Sequence, residues 1–144
     1  NRLQEKVINE GIEEQVIFVG KVSEQEANIY VHYADCAYLS FADNPVFDMT
    51  IPAKLQTYLA CGTPILAAAG GESADIINKA GCGIAVERNI NKLIDAIKTF
   101  KKKNKSEIKQ IRVNAERYFD ENLSHHRGEL GAVRQSALCG DVPG

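Results

Sequence analysis

A short helix signal, a glycine and an unbroken apolar run follow one another from Pro52 to Gly71 (PAKLQTYLACGTPILAAAGG), and this order restricts the fold more than any other feature. Pro52 is pre-set for a helix start, Ala53 to Cys61 reads as one helix, and Gly62 is the usual stop. Thr63-Pro64 restarts the chain as Ile65 to Ala69, apolar at every position, as in a strand buried on both faces. Gly70-Gly71 ends it. A loop, a helix N-terminus and a buried strand form the arrangement with which α/β proteins hold anions and nucleotides.

The rest of the chain repeats that alternation. Arg2 to Asn9 reads as a helix ending at Gly11, and Val16 to Val19 as a short strand closed by Gly20. Ser23-Glu-Gln-Glu26 is a capping box, in which the Ser hydroxyl and the Glu carboxylate each satisfy a free backbone N–H. Ala27, Tyr30, Val31 and Ala34 then fall at helical spacing and predict one buried stripe. Cys36 to Leu39 reads as the next strand. Glu72 to Ala80 predicts a helix with Ile76 and Ile77 inward and Gly81 as its stop, followed by a strand over Gly83 to Val86. Ile90, Leu93, Ile94, Ile97 and Phe100 predict a helix over Asn91 to Lys103, with the basic run Lys101 to Lys105 as a solvated helix end. Ile108, Ile111, Ala115 and Tyr118 mark a last helix. The expected architecture is α/β: a Rossmann-like, doubly wound parallel sheet with helices on both faces. Residues 1–123 form the expected domain, and 124–144 a C-terminal helix with an unexplained tail.

With 144 residues the chain has room for one cored domain and not two. A formal charge of −2 gives no electrostatic case for nucleic acid. No apolar run approaches the roughly 20 residues that span a bilayer. Cys36, Cys61, Cys82 and Cys139 are scattered without a C-x-x-C pair, which suits buried or incidental thiols in a reducing cytoplasm. His32 reads as structural and distant from the Pro52–Gly71 stretch. His125-His126 lacks metal-ligand spacing, so neither a metal nor a cofactor is expected, and no catalytic nucleophile stands out. The chain opens at Asn1 without Met and reads as a piece of a longer protein.

P-x-K-L-x-x-Y-L-A-C-G-x-P-I, here Pro52 to Ile65, resembles the retaining glycosyltransferases of family 4, which have the two-domain GT-B fold. More narrowly it is similar to the bacterial members that build capsule and O-antigen chains. The resemblance covers residues 1–123 and implies most of the C-terminal, donor-binding half of a GT-B enzyme. The implied reaction moves a sugar from a nucleotide-sugar, commonly a UDP-sugar, to a polysaccharide or lipid-linked acceptor with retention. The partner implied is an N-terminal acceptor-binding domain. The implied location is the cytoplasm, with peripheral association at the inner membrane face, and the fragment alone is expected to be inactive.

Lys54 lies about three residues into the helix that opens at the Asn44–Pro52 loop, where free N–H groups and a full positive charge would together hold a diphosphate. Asp48, Met49 and Thr50 in that loop belong to the expected donor site. The resembled family usually carries two glutamates eight apart, one on the donor sugar and one on the ribose. Met49 and Thr57 stand at those positions here, so a carboxylate–ribose contact shrinks to at most one hydroxyl bond, about half as strong. Asp48 and Gln56 share the same spacing and are candidate replacements. Gly20-Lys21-Val22 is either a plain strand-end turn or, as the resemblance implies, a turn beside the nucleotide base. Gly70-Gly71 is either an anion nest near the donor or a packing requirement. Two other readings stay open. One is a GT-B epimerase acting on UDP-N-acetylglucosamine, whose acid and base residues have no visible counterpart here. The other is a non-catalytic nucleotide-sugar-binding or regulatory α/β domain.

Overall fold

The computed structural model describes residues 1–40 and 51–123. Along them run α1 (Arg2–Asn9), α2 (Glu24–Tyr33), β1 (Ala37–Ser40), α3 (Ala53–Ala60), β2 (Ile65–Ala68), α4 (Gly71–Ala80), β3 (Gly83–Val86), α5 (Ile90–Lys101) and α6 (Lys105–Asn122). The apolar run is the central strand. β2 pairs in parallel with β1 on one side and β3 on the other, Ile65 standing opposite both Ala37 and Gly83. All four β2 residues are buried, as a strand covered on both faces requires.

Strand alternation sorts the side chains into two cores. Leu39, Ile65 and Ala67 pack on one face with Leu55 and Leu59 of α3, Ile77 of α4, and Ala115 and Phe119 of α6. Leu66 points the other way, onto Ala96 and Phe100 of α5. Helices therefore lie on both faces, and the α/β parallel architecture is as expected. Gly83 is required by close approach: a Cβ there would collide with the Ile65 carbonyl oxygen.

Three expectations fail. Val16 to Val19 forms no strand; Ile17 is 83% exposed, and among the described residues no hydrogen bond ties this segment to the sheet. β-Propensity without a neighbouring ladder does not make a strand. The buried stripe of α2 is also displaced, to Asn28 and Ile29, while Tyr30 stays 54% exposed. The cause is what α2 packs against. The end of α3 presents polar backbone, and α2 turns a mixed polar face towards it: the His32 imidazole lies 3.0 Å (Nδ1) from the Cys61 carbonyl, and the Cys61 thiol lies near the Asn28 carbonyl. His32 is thus structural, but at the end of the Pro52–Gly71 stretch and not away from it. The capping box of α2 forms as expected, as do the helices ending at Gly11, Gly62 and Gly81. His125-His126, Cys139, the expected C-terminal helix and the tail lie outside the described residues.

Arg112 of α6 completes that junction. Its guanidinium donates to the carbonyls of Ala34 (2.9 Å), Gly62 (3.3 Å) and His32 (3.5 Å), and the Thr63 hydroxyl donates to Val31 (2.7 Å). These groups take up the carbonyls left open where α2 ends and α3 turns into β2.

Candidate functional site

The carboxyl edge of the sheet follows from chain direction. α3 runs through Cys61 to Pro64 straight into the start of β2, so α3 is antiparallel to β2 and begins at the strands' carboxyl ends. α4 relates to β3 in the same way through Gly81 and Cys82. The N-termini of α3 and α4 therefore open on one edge, beside the ends of adjacent parallel strands, where open α/β sheets bind ligands.

How those two helices start sets them apart. The Asn1, Ser23, Asn89 and Asn104 side chains accept from first-turn N–H groups of α1, α2, α5 and α6. By contrast, α3 begins at Pro52 and α4 at Gly70, and neither has a side-chain cap. Proline and glycine carry no side-chain group that can fill the role, so among the described residues no side chain caps the first-turn donors of α3 and α4. At the start of α4, Gly71 takes φ +61°, a backbone conformation that glycine adopts without a Cβ penalty.

Lys54 is exposed in the first turn of α3, adding a full charge to the helix dipole. Thr57 is half-buried one turn on. The Gln56 amide donates to the Ile51 carbonyl at 3.2 Å, which holds it along the helix start. Gly70 and Gly71 sit at the second N-terminus, so Lys54, Thr57, Gly70 and Gly71 share one edge of the sheet. Asp48, Met49 and Thr50 lie outside the described residues. Gly20, Lys21 and Val22 form an exposed bend ahead of α2, with Gly20 at φ +78°, and among the described residues no hydrogen bond connects them to that edge.

Ser73, in the first turn of α4, was not singled out from sequence. It is 1% exposed, and its hydroxyl has no hydrogen-bond partner among the described residues. A buried hydroxyl left unpaired costs roughly 1–3 kcal/mol. A serine inside an apolar face at Ile76 and Ile77 spacing was the available signal.

Among the described residues, no cluster of His, Cys, Asp and Glu is arranged to hold a metal, and no helix is long and apolar enough to cross a membrane. Burial pushes the Cys82 thiol up to about 11, and burial together with Asp35 raises Cys36. Neither thiol is poised as a nucleophile.

The family model described as Glycosyl transferases group 1 matches residues 1–118. The chain belongs to that family. No curated protein and no solved structure matched it. Glycosyl transfer, the reaction of that family, develops negative charge on a departing group. Preorganised N–H donors and a cation aimed at that charge are the means by which a protein stabilises it.

Proposed function

We propose that this chain is the donor-binding half of a family 4, GT-B glycosyltransferase of the capsule and O-antigen type. It would bind a nucleotide-sugar, with a UDP-sugar favoured, at the carboxyl edge of the sheet. The observation that supports this most is the pair of uncapped helix N-termini at adjacent strand ends, one carrying Lys54 and the other Gly70-Gly71. In this reading the two helix starts and the Lys54 ammonium hold the diphosphate and stabilise it as it leaves. Asp48, Met49 and Thr50 belong to the donor-binding set, and Gly20 to Val22 contact the base. The acceptor is a polysaccharide or lipid-linked chain presented by a separate acceptor-binding domain, at the inner face of the cytoplasmic membrane, and the sugar is transferred with retention. The isolated chain binds donor weakly and transfers nothing.

Calorimetric titration with UDP, GDP and ADP tests the reading. UDP is expected to bind most tightly, and Lys54→Gln to weaken it about tenfold through loss of a charge-assisted contact. Equal affinity of Lys54→Gln and the parent for UDP would overturn the role of Lys54.

One observation favours a second reading, a related domain that has lost donor binding: a neutral, half-buried Thr57 stands where the resembled family places a ribose-binding glutamate. Thr57→Glu separates the two. A gain in UDP affinity indicates a ribose site with a weakened partner, and no change indicates a site that has decayed.

A further inference from the structure

The charges of this chain are unevenly placed. Residues 98–112 hold six lysines and one arginine against one glutamate, an excess of six positive charges in a chain whose formal total is −2. These residues form the end of α5, the turn after it and the first half of α6, so the structure gathers them at one corner. α5 starts beyond β3 at the carboxyl edge and runs back, which puts the corner at the opposite, amino edge of the sheet.

The corner is not uniformly polar. A cavity of about 360 Å³ lies there, lined by Leu66, Ile97, Phe100 and Ile108 and by Lys101 and Lys103, with Asp35 its one carboxylate. Ile94 and Ile97 of α5 are 41% and 39% exposed beside it. Lys98, Lys101, Lys102, Lys105 and Lys109 are exposed, and Lys103 makes only a 3.9 Å pair with Glu107. A solvated helix end needs the charges but not the apolar opening. Lysines around exposed isoleucines combine the two attractions of a peripheral membrane surface, anionic headgroups for the charges and the acyl boundary for the apolar side chains.

We infer that the α5–α6 corner is a docking surface for an anionic lipid bilayer. The inference deepens the membrane-face placement proposed above and rests on it, but it does not depend on which nucleotide binds. Docked in this way, the chain turns the carboxyl edge of its sheet away from the lipid and leaves it open to a soluble donor.

The test is co-sedimentation of the chain with phosphatidylcholine vesicles, with and without phosphatidylglycerol. Binding is expected only to the anionic vesicles and is expected to fall steeply with added salt. Each lysine near an anionic leaflet contributes roughly a factor of five to partitioning, so Lys98→Glu/Lys101→Glu/Lys102→Glu is expected to lower it at least ~100-fold. Reversing three exposed charges elsewhere, Arg2→Glu/Lys6→Glu/Lys92→Glu, the last at the carboxyl-edge start of α5, is expected to preserve most of it, and circular dichroism of both variants checks that they fold. The inference is overturned by no binding to anionic vesicles, by equal binding to neutral ones, by equal losses in the two variants, or by capture on heparin without vesicle binding. Because UDP titration reports on the other edge of the sheet, failure here leaves the donor-site reading standing, and the converse also holds.

Discussion

Replacing Arg112 with methionine should loosen the joint on which the Pro52–Gly71 unit turns. The substitution keeps most of the apolar stem and removes the guanidinium, leaving the carbonyls of Ala34, Gly62 and His32 without this donor. A hydrogen bond from a charged donor contributes about 1.5–3 kcal/mol. Only the 2.9 Å bond to Ala34 has short geometry; those at 3.3 and 3.5 Å are long, and the site is part-buried, so they add little. The expected loss is about 2–3 kcal/mol. For a chain of this size each kcal/mol moves the melting point by roughly 2–4 °C, which gives a drop of about 5–10 °C by circular dichroism. Arg112→Lys should recover about half, because an ammonium is a point charge that cannot fork across three acceptors. An Arg112→Met melting point within about 1 °C of the parent would refute the reasoning and leave apolar packing as the sole tie between α6 and the ends of α2 and α3.

Three further outcomes are expected. Gly62→Ala forces an alanine to φ +65° and sets its Cβ 2.7 Å from the Glu116 carboxylate, so urea unfolding should show a loss of about 1–2 kcal/mol. Adding Glu116→Ala should restore only the part due to the contact. Cys82 keeps its proton to about 11 when folded, against 9.0 as the ordinary value. Its stabilising effect is therefore complete below about pH 9 and lost as pH rises through about 11, by up to about 2–3 kcal/mol. Subtracting the urea stability curve of Cys82→Ala from that of the parent should isolate this decline, and a flat difference would contradict it. Ser73→Ala removes an unpaired buried hydroxyl and should leave stability equal or higher by about 1 kcal/mol. If that hydroxyl serves the donor edge, UDP affinity falls in the same variant, and stability lost with affinity unchanged would contradict a donor role.

Most of the fold was legible because its signals are local. A fully apolar four-residue strand between glycine stops, a capping box and helical spacing of isoleucines each report on their own neighbourhood, and β2, α2 and α5 lie where those signals put them. The failures come from partners distant in sequence. Val16 to Val19 has the composition of a strand, but composition is not pairing: its side chains stay largely exposed, and among the described residues it joins neither open edge of the sheet. The burial of Asn28 over Tyr30 follows from the polar end of α3, 30 residues away. No sequence signal singled out Arg112, and only the arrangement of α2, α3 and α6 makes it a three-carbonyl clamp. At the site, Lys54 carries the sequence pattern of an anion contact, and Gly70-Gly71 that of either an anion nest or a packing requirement. That their helices alone among the six described lack side-chain caps was visible only once each helix start was in place.

The most direct test of the central claim is a titration of the isotope-labelled chain with UDP, GDP and ADP, following backbone amide resonances. The account predicts shifts on UDP addition at Lys54, Thr57 and Gly70 to Ser73, with Thr50 and Gly20 to Val22 following, while residues of the α5–α6 corner stay unmoved. Shifts confined to the corner, or no shift anywhere with millimolar UDP, would contradict a donor site at the two uncapped helix starts.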